Sequence, residues 1–228
     1  MGRGKLFIVS TPIGNMKDIT QRALEVLGDV SYILSEDTRE TYKVLNHYKI
    51  KTPQLSYRDQ NHKKILPRIL LELQSGNDLA LVSDSGTPLI SDPGYKLIRE
   101  IIGLGFEIVP IPGPSSVISA LVASGLPTDK FAFLGFLPKS SVKASKVLKK
   151  FSELNATLII FVSPYRVVKL LTLIKEVLGD RDVCVANDIS KKHERFIRGK
   201  ISSIIFDRIS NFVEKGEFII LISKKDGK

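Results

Sequence analysis

The sequence is poor in the residues that form disulfides and metal centres. A single cysteine, Cys184, occurs in 228 residues, which excludes an intramolecular disulfide and leaves no cysteine cluster for zinc. Its position in the apolar run DVCVA is typical of a small buried hydrophobe. The three histidines, His47, His62 and His193, lie far apart in the chain and show no ligand spacing. The sequence therefore predicts no metal site.

Long apolar runs are also absent. The longest, TLIIFV and EFIILIS, have the length of a buried strand and fall well short of the ~20 residues that cross a bilayer. The first residues, MGRGKLFIVSTP, lack the long apolar core and the cleavage site of a signal peptide. We therefore expect a cytoplasmic protein with no membrane partner. Its hydrophobic share of 43% is enough for a globular core.

Two common phosphate-binding motifs are missing as well. Neither G-x-x-x-x-G-K-[ST] nor G-x-G-x-x-G occurs in the chain. Without the glycine turn that admits a pyrophosphate, a P-loop and a standard dinucleotide site are both disfavoured.

Strand and helix signals nevertheless alternate along the whole chain. The alternation in the first half predicts βαβ units around a parallel sheet, and a second α/β unit follows. Between them lies GLPTDKFAFLGFLPKS, a segment rich in Gly, Pro and Phe, and we place the domain boundary there. A later basic stretch, KKHERFIRGK, is interpreted as a connector. The expected domains are residues 1–124 and 125–228.

The positive charge is concentrated in the second half of the chain. Residues 1–138 hold 15 Lys and Arg against 14 Asp and Glu, whereas residues 139–228 hold 19 against 10. Such an excess is expected of a surface that docks on a polyanion, because each neutralised phosphate releases counterions. A lysine-rich helix face that only confers solubility is an alternative of similar weight.

Four polar loops, three of which contain both Gly and Pro, each follow a predicted strand of the first domain. The carboxyl ends of parallel strands meet at one edge of a sheet, so these loops are expected to converge on one crevice. Any one of them could be a simple turn, but four together favour an active-site edge. They are STPIGN (10–15), SEDTRET (35–41), SDSGTPLISDPG (83–94) and PGPSS (112–116).

The third loop, residues 83–94, carries Asp84 and Asp92 and no Lys or Arg. Carboxylates and small hydroxyls suit a ligand that offers hydroxyl donors or positive charge, such as a ribose, an amine or a sulfonium. The alternative is that each aspartate only accepts hydrogen bonds from its own turn.

These blocks, together with SGLPTDKFAFLGFLP and KKHERFIRG, resemble the ribosomal RNA small subunit methyltransferase I family of the tetrapyrrole methylase superfamily. The resemblance implies an enzyme that methylates the ribose 2′-hydroxyl of a cytidine in the decoding region of 16S rRNA, with S-adenosyl-L-methionine as cofactor. It implies the two-domain α/β fold of class III methyltransferases, with a mostly parallel N-terminal sheet, a mixed C-terminal sheet and the cofactor in the cleft between them. It also implies a homodimer that acts on 16S rRNA or on the small ribosomal subunit.

The resemblance assigns cofactor binding to six residues of the polar loops and to two strand ends of the second domain, which would contribute backbone contacts. These residues are Pro12, Asp84, Gly86, Thr87, Ser115, Ser116, Val162 and Ala186.

Methylation of a hydroxyl also needs a group that accepts the proton. The candidates are Glu36 and Asp37 in the first domain and Lys191 and Glu194 in the second. Lys191 could act only as the neutral amine, which burial or neighbouring cations would favour. Other basic residues are assigned to RNA phosphates rather than to catalysis. They are Arg39, Arg166, Lys192, Arg195, Arg198 and Lys200.

Two motifs depart from the family pattern. Where the family has Glu-Ser-Pro-His-Arg, this chain has VSPYR, so a proton-transfer role for that Glu or His cannot be carried over. Where the family has Glu-Leu-Thr-Lys, the chain has DISK and keeps Asp188 and Lys191. The chain also ends where many members continue into a small helical extension, whose RNA contacts are expected to be absent or replaced.

Two other functions stay open. One is a methylase of the same superfamily that acts on a tetrapyrrole or a protein side chain, against which the basic second half argues. The other is a non-catalytic RNA-binding assembly factor, which failure to bind the cofactor would favour.

Overall fold

The computed structural model describes residues 2–208 and 215–224. The chain forms two compact units, Met1–Ser115 and Ser116–Lys228. Among the described residues, no helix has the length and apolar character needed to cross a membrane.

The first unit is a five-stranded, fully parallel sheet in the order β3-β2-β4-β1-β5. This confirms the parallel sheet predicted from the alternating pattern. Its strands are β1 (Leu6–Val9), β2 (Tyr32–Ser35), β3 (Gln54–Ser56), β4 (Leu79–Val82) and β5 (Ile108–Ile111). Its helices are α1 (Gln21–Asp29), α2 (Thr38–His47), α3 (His62–Gln74) and α4 (Tyr95–Gly103), and a short 3-10 helix spans Met16–Asp18.

Helices cover both faces of this sheet. Leu79 and Leu81 of the central strand β4 pack in one cluster with α3 and α4, whereas Ala80 and Val82 pack in another with α1 and α2. Because successive side chains of a strand point to opposite faces, a strand buried on both sides must be apolar throughout. This requirement explains the uninterrupted run LALV.

The second unit is a mixed sheet in the order β6-β7-β10-β8-β9, as predicted. Strand β10 is antiparallel to both of its neighbours, β7 and β8. Helices α6, α7 and α8 pack against one face of the sheet. The strands are β6 (Phe131–Phe136), β7 (Thr157–Val162), β8 (Asp182–Asn187), β9 (Arg195–Lys200) and β10 (Phe218–Ile222). The helices are α5 (Ser116–Ala123), α6 (Ser141–Phe151), α7 (Val167–Leu178) and α8 (Ile201–Arg208), and a 3-10 helix spans Pro164–Arg166.

Two segments interpreted as linkers are edge strands of this second sheet. Strand β6 pairs with β7 through an irregular register, and Phe133 and Phe136 contact Phe161 edge to face. Strand β9 pairs with β8 along its whole length, although it carries three basic residues of the predicted connector, Arg195, Arg198 and Lys200. Edge strands tolerate glycine and charged residues because one side of the strand is unpaired. For this reason β6 and β9 lack the uninterrupted apolar run that marks a buried strand.

Helix α5 groups with the second unit, so the division of the chain falls before this helix, whereas the boundary expected from sequence follows it. The guanidinium of Arg198 in β9 donates hydrogen bonds to the carbonyls of Ala123 and Ser124 at the end of α5. This contact ties the helix to the second sheet.

Candidate active site

The loops after β1 and β4 are joined directly at the carboxyl edge of the first sheet. The Thr11 amide donates to the Gly86 carbonyl at 2.9 Å, and the Gly86 amide donates to the Thr11 carbonyl at 3.0 Å. Pro12 follows this bridge in one loop and Thr87 follows it in the other. The two central loops of the edge therefore form one structure.

Thr87 extends the connection to a third loop. Its hydroxyl accepts a hydrogen bond from the Ser10 hydroxyl at 3.2 Å and donates one to the Pro114 carbonyl at 3.0 Å. Ser115 comes directly after Pro114, and α5 begins at Ser116. One threonine side chain thus links the loops that follow β1, β4 and β5.

Two glycines make this close approach possible. Gly86 is buried, has a φ of +76°, and a Cβ there would lie 3.2 Å from the Ile13 side chain. At Gly113 a Cβ would lie 2.8 Å from the Ser10 Cβ. Other residues would strain the backbone at the first position and collide at the second.

The fourth loop, after β2, joins through the aspartates of residues 83–94. The Asp37 amide donates to the Asp84 carboxylate at 2.9 Å. Asp92 accepts a side-chain hydrogen bond from Ser83, at the other end of its own loop. Neither contact is the local turn that was the alternative reading of these aspartates. All four predicted loops therefore meet at one edge.

Three carboxylates crowd this edge. Burial raises the pKa of Glu36, and the charges of Asp84 and Asp92 raise it further. Burial also raises the pKa of Asp92, with a smaller contribution in the same direction from Asp84. Within the described chain, no Lys or Arg forms an ion pair with Asp84 or Asp92. The edge can therefore accept a positive charge.

Asp37 differs from these three carboxylates. It caps α2 by accepting the Arg39 amide at 2.9 Å, and the Arg39 guanidinium donates to both of its oxygens at 3.0 and 2.6 Å. These hydrogen bonds lower the pKa of Asp37 well below its usual range. A carboxylate held in this way is a poor proton acceptor, and the same pairing occupies Arg39.

The loop after β4 also has a strained backbone. Leu89 and Ser91 have φ values of 72° and 67°, which side-chain-bearing residues rarely adopt. The loop is held at its end by the Gly94 amide, which donates to the Asp59 carboxylate at 3.3 Å. Strain of this kind collects at binding sites.

In the second unit, Val162 and Ala186 lie close to the carboxyl ends of strands β7 and β8, at one edge of the second sheet. Val162 pairs with Phe218 of β10, and Ala186 pairs with the next residue, Ile219. Both side chains are buried. A cofactor contact through their backbones stays a prediction.

The loop after β8 holds the other two catalytic candidates. The Lys191 ammonium lies 3.4 Å from the Asp188 carboxylate and 3.2 Å from that of Glu217. Its close partners are therefore carboxylates, and not the cations expected from sequence. The Glu194 carboxylate accepts the Ser190 amide at 2.7 Å and is exposed.

Most of the basic residues assigned to RNA have partners within the protein. The Arg166 guanidinium donates to the carbonyls of Leu137 and Pro138 at 3.2 and 2.8 Å. Arg198 binds the end of α5, as described above, and the Lys200 ammonium donates to the Asp182 carboxylate at 3.0 Å. Lys192 and Arg195 are exposed.

Comparison with known proteins relates this architecture to a family. The model of the Tetrapyrrole (Corrin/Porphyrin) Methylases matches residues 5–205. The ribosomal RNA small subunit methyltransferase I of Thermotoga maritima is 45% identical over 98% of this chain and 100% of its own length. The protein of the same name from Bacillus subtilis is 39% identical over 96% of this chain and 75% of its own length. The chain belongs to the ribosomal RNA small subunit methyltransferase I family.

Solved structures of more distant tetrapyrrole methylases share the fold. A cobalt precorrin-4 methyltransferase aligns with a TM-score of 0.67 and 19% identity, over 96% of this chain and 94% of its own. A uroporphyrin-III C-methyl transferase from Thermus thermophilus, complexed with S-adenyl homocysteine, aligns with a TM-score of 0.65 and 18% identity, over 96% and 97%. At these identities the likeness concerns the fold alone.

For a member of this methyltransferase family, the crowded carboxylates are a chemical fit to the cofactor. S-adenosylmethionine carries a sulfonium, an ammonium and ribose hydroxyls, and carboxylates accept hydrogen bonds from the last two and attract both charges. Ser10, Thr11 and Ser83, which help to build this edge, were not predicted as site residues. Their one signal is their position, because Ser10 and Ser83 lie directly after an apolar strand and Thr11 follows Ser10.

Proposed function

We propose that this chain transfers a methyl group from S-adenosyl-L-methionine to the ribose 2′-hydroxyl of a cytidine in the decoding region of 16S rRNA. As a member of its family, it is an S-adenosylmethionine-dependent methyltransferase of small-subunit rRNA. The observation that carries the proposal is the joining of four loops at one sheet edge, around Asp84 and Asp92, which form no ion pair with Lys or Arg within the described part of the chain.

The proposed cofactor contacts come from the linked loops. Pro12, Gly86 and Thr87 offer backbone groups and a hydroxyl beside the Thr11–Gly86 bridge, and Asp84 offers a carboxylate. Ser115 continues the same edge after Pro114. Ser116, Val162 and Ala186 in the second unit are proposed as further contacts by likeness to the family. When bound, the cofactor supplies an electrophilic methyl group on its sulfonium.

We assign the role of proton acceptor to Glu36. Burial and the charges of Asp84 and Asp92 raise its pKa, and a carboxylate with a raised pKa is a stronger base that still ionises near neutral pH. Asp37 is weakened by Arg39, Lys191 is paired with two carboxylates, and Glu194 is exposed.

The substrate would be 16S rRNA, alone or within the small ribosomal subunit, which places the reaction in the cytoplasm. A homodimer is part of the proposal by likeness to the family. The choice of substrate is supported by the relatives' names and by the chain's basic second half.

The test is transfer of label from methyl-labelled S-adenosylmethionine to small subunits from a strain that lacks the activity. Label in one rRNA dinucleotide that resists alkali is expected, because 2′-O-methylation removes the hydroxyl that attacks the linkage. Label in rRNA that alkali releases as mononucleotide would overturn ribose methylation. Cofactor binding without any label in rRNA would favour another substrate of the superfamily, and failure to bind the cofactor would favour an assembly factor.

A matched pair of variants connects this activity to the site. Thr87→Val removes the hydroxyl that links three loops and should raise the Kd of S-adenosylhomocysteine about tenfold, the effect of ~1.4 kcal/mol. Thr52→Val removes a similar hydroxyl, which donates to the Leu27 carbonyl at 2.6 Å away from the carboxyl edge. An equal loss of affinity for S-adenosylhomocysteine in the two variants would contradict the assignment of the site.

A further inference from the structure

Helix α6 and the residues just before and after it form the most uniformly basic segment of the chain. Residues 139–152 read KSSVKASKVLKKFS and contain five lysines and no Asp or Glu. None of the six residues predicted to bind RNA lies in this segment. The basic stretch after β8, for example, includes Glu194.

The helix presents three of these lysines on one stripe. Lys143, Lys146 and Lys150 are spaced i, i+3 and i+7, and all three are exposed. We call this stripe the α6 lysine face. It is about 10 Å long, since a helix rises 1.5 Å per residue. The opposite side of the helix carries Ala144 and Leu148, which are fully buried in the core of the second unit.

The lysines of this face have no anionic partner among the described residues. Other exposed lysines do pair: Lys5 with Glu107, Lys43 with Glu40, and Lys200 with Asp182, each at 3.0 Å or less. The ion pairs and hydrogen bonds in the described part of the chain include no side chain of the α6 lysine face.

Helix stability does not account for the face. The first turn of α6 has no acidic residue, and Lys143 lies near the end where the helix dipole disfavours positive charge. Lys146 and Lys150 are like charges at i, i+4, a spacing that destabilises an isolated helix. A bound anion would relieve both effects.

The residues first assigned to RNA are less available. Arg166, Arg198 and Lys200 donate to carbonyls or to a carboxylate of the protein, and Arg39 is held by Asp37. The lysines and arginines of the second half that are exposed and form no ion pair among the described residues include those of α6, Lys192 and Arg195, and also Lys169 and Lys175 on α7.

We propose that the α6 lysine face binds the phosphate backbone of the RNA substrate. The inference rests on the proposed function and adds a surface to it. Lysines act as point charges toward phosphate, and the face carries no aromatic side chain or Arg with which to read bases. Its role is to position RNA without regard to sequence, and its contribution to affinity should decrease as salt increases.

An anionic membrane is the other polyanion that a basic helix can meet. Helices that lie on membranes insert an apolar face, and the apolar face of α6 is buried in the protein core. The structure therefore favours RNA over a membrane as the partner of the α6 lysine face, and binding to vesicles tests this choice.

The experiment compares two triple variants of the full chain. Lys143→Gln, Lys146→Gln and Lys150→Gln neutralise the face, whereas Lys63→Gln, Lys64→Gln and Lys96→Gln remove three exposed lysines from α3 and α4 as a charge-matched control. Affinity for a 16S rRNA fragment is measured by fluorescence anisotropy from 50 to 200 mM salt. Loss of three phosphate contacts should reduce the slope of log K against log salt by about 2, at about 0.7 per contact with single strands.

Three results would overturn the inference: an unchanged slope, an equal change in the control, or loss of binding to phosphatidylserine vesicles without loss of RNA binding. S-adenosylhomocysteine affinity and the circular dichroism spectrum, unchanged in both variants, show that each is folded. Methylation distinguishes this inference from the proposed function. If the wild-type protein methylates rRNA and the α6 variant has the same KM for RNA, only the proposed role of the α6 lysine face is refuted. If the wild-type protein binds RNA through α6 but does not methylate it, only the proposed reaction is refuted.

Discussion

Glu36 is the carboxylate through which pH should control methyl transfer. Burial and the charges of Asp84 and Asp92 raise its pKa above the ordinary 4.5, so it becomes protonated at a higher pH than a free glutamate. The protonated form cannot accept the hydroxyl proton. We expect Glu36→Gln to lower kcat by about 10²–10⁴-fold. Single-turnover methyl transfer measured across pH should show the wild-type rate falling on the acid side, with a midpoint above 4.5.

The control for this prediction is Glu40→Gln on α2. Glu40 is exposed and pairs with Lys43 at 2.6 Å, so its loss should leave kcat unchanged. If Glu36→Gln kept the wild-type rate and acid limb, the proton acceptor would lie elsewhere.

Asp92 should make the protein less stable at neutral pH than it could be. Its folded-state pKa is raised above 3.8, mainly by burial, so the folded state binds the proton more tightly than the unfolded state does. The stability therefore falls as the pH rises from about the pKa of Asp92 in the unfolded state to above its pKa in the folded state. Asp92→Asn should raise the free energy of unfolding at pH 7 and remove this part of the pH dependence. Urea unfolding at pH 4 and pH 7 measures both effects.

Asp180 provides the control of opposite sign. Its carboxylate accepts the amide and hydroxyl of Ser202 at 2.8 and 2.5 Å, and these hydrogen bonds lower its pKa. Its contribution to stability is present above the unfolded pKa and is lost as pH falls through the folded one. Asp180→Asn should therefore destabilise the protein at pH 7. The same sign for both variants would show that burial does not penalise the charge of Asp92.

At the scale of elements, the contact between β9 and α5 gives Arg198 a structural role. Its guanidinium binds the carbonyls of Ala123 and Ser124, which the helix leaves without partners. Arg198→Ala should lower the free energy of unfolding by about 1 kcal/mol. Arg195→Ala, on the same strand and exposed, should change it by less than about 0.5 kcal/mol. Urea unfolding of both variants tests the difference.

RNA binding provides the second measurement for this pair. If Arg198 bound phosphate directly, its loss would weaken RNA affinity at least as much as the loss of Arg195 without a larger loss of stability. That result would restore the assignment made from the sequence.

The elements differ in how far the sequence could predict them. Buried central strands such as LFIV and LALV carry an uninterrupted apolar run, because both faces are covered, and they were found. The strand QLS is too short to show a pattern, and β6 and β9 are edge strands with a glycine each. The four loops of the site were predicted because strand polarity alone brings them to one edge. The Thr87 link to Pro114 was not, because it depends on side-chain positions in three dimensions.

At the scale of the whole molecule, acidic and basic features occupy different units. The carboxylates Glu36, Asp84 and Asp92 lie in the first unit, and the unpaired lysines of α6 lie in the second. The two proposals therefore assign the cationic cofactor and the polyanionic substrate to complementary surfaces in different units of the chain. The net charge of +10 alone does not reveal that acidic and basic surfaces lie in different units.

Hydrogen exchange followed by mass spectrometry should resolve the two surfaces along the chain. S-adenosylhomocysteine should slow exchange in the loops at 35–41, 83–94 and 112–116, which follow strands of the first sheet, because ligand binding suppresses local opening. An rRNA fragment at 50 mM salt should slow it in residues 139–152, and 200 mM salt should reverse that effect. The connections at the other edge of the first sheet, residues 75–78 and 104–107, serve as the internal control. Cofactor protection centred there would place the ligand at the amino ends of the strands and contradict the site. Equal protection of 139–152 by the cofactor alone would mean that α6 responds to cofactor binding rather than to phosphate.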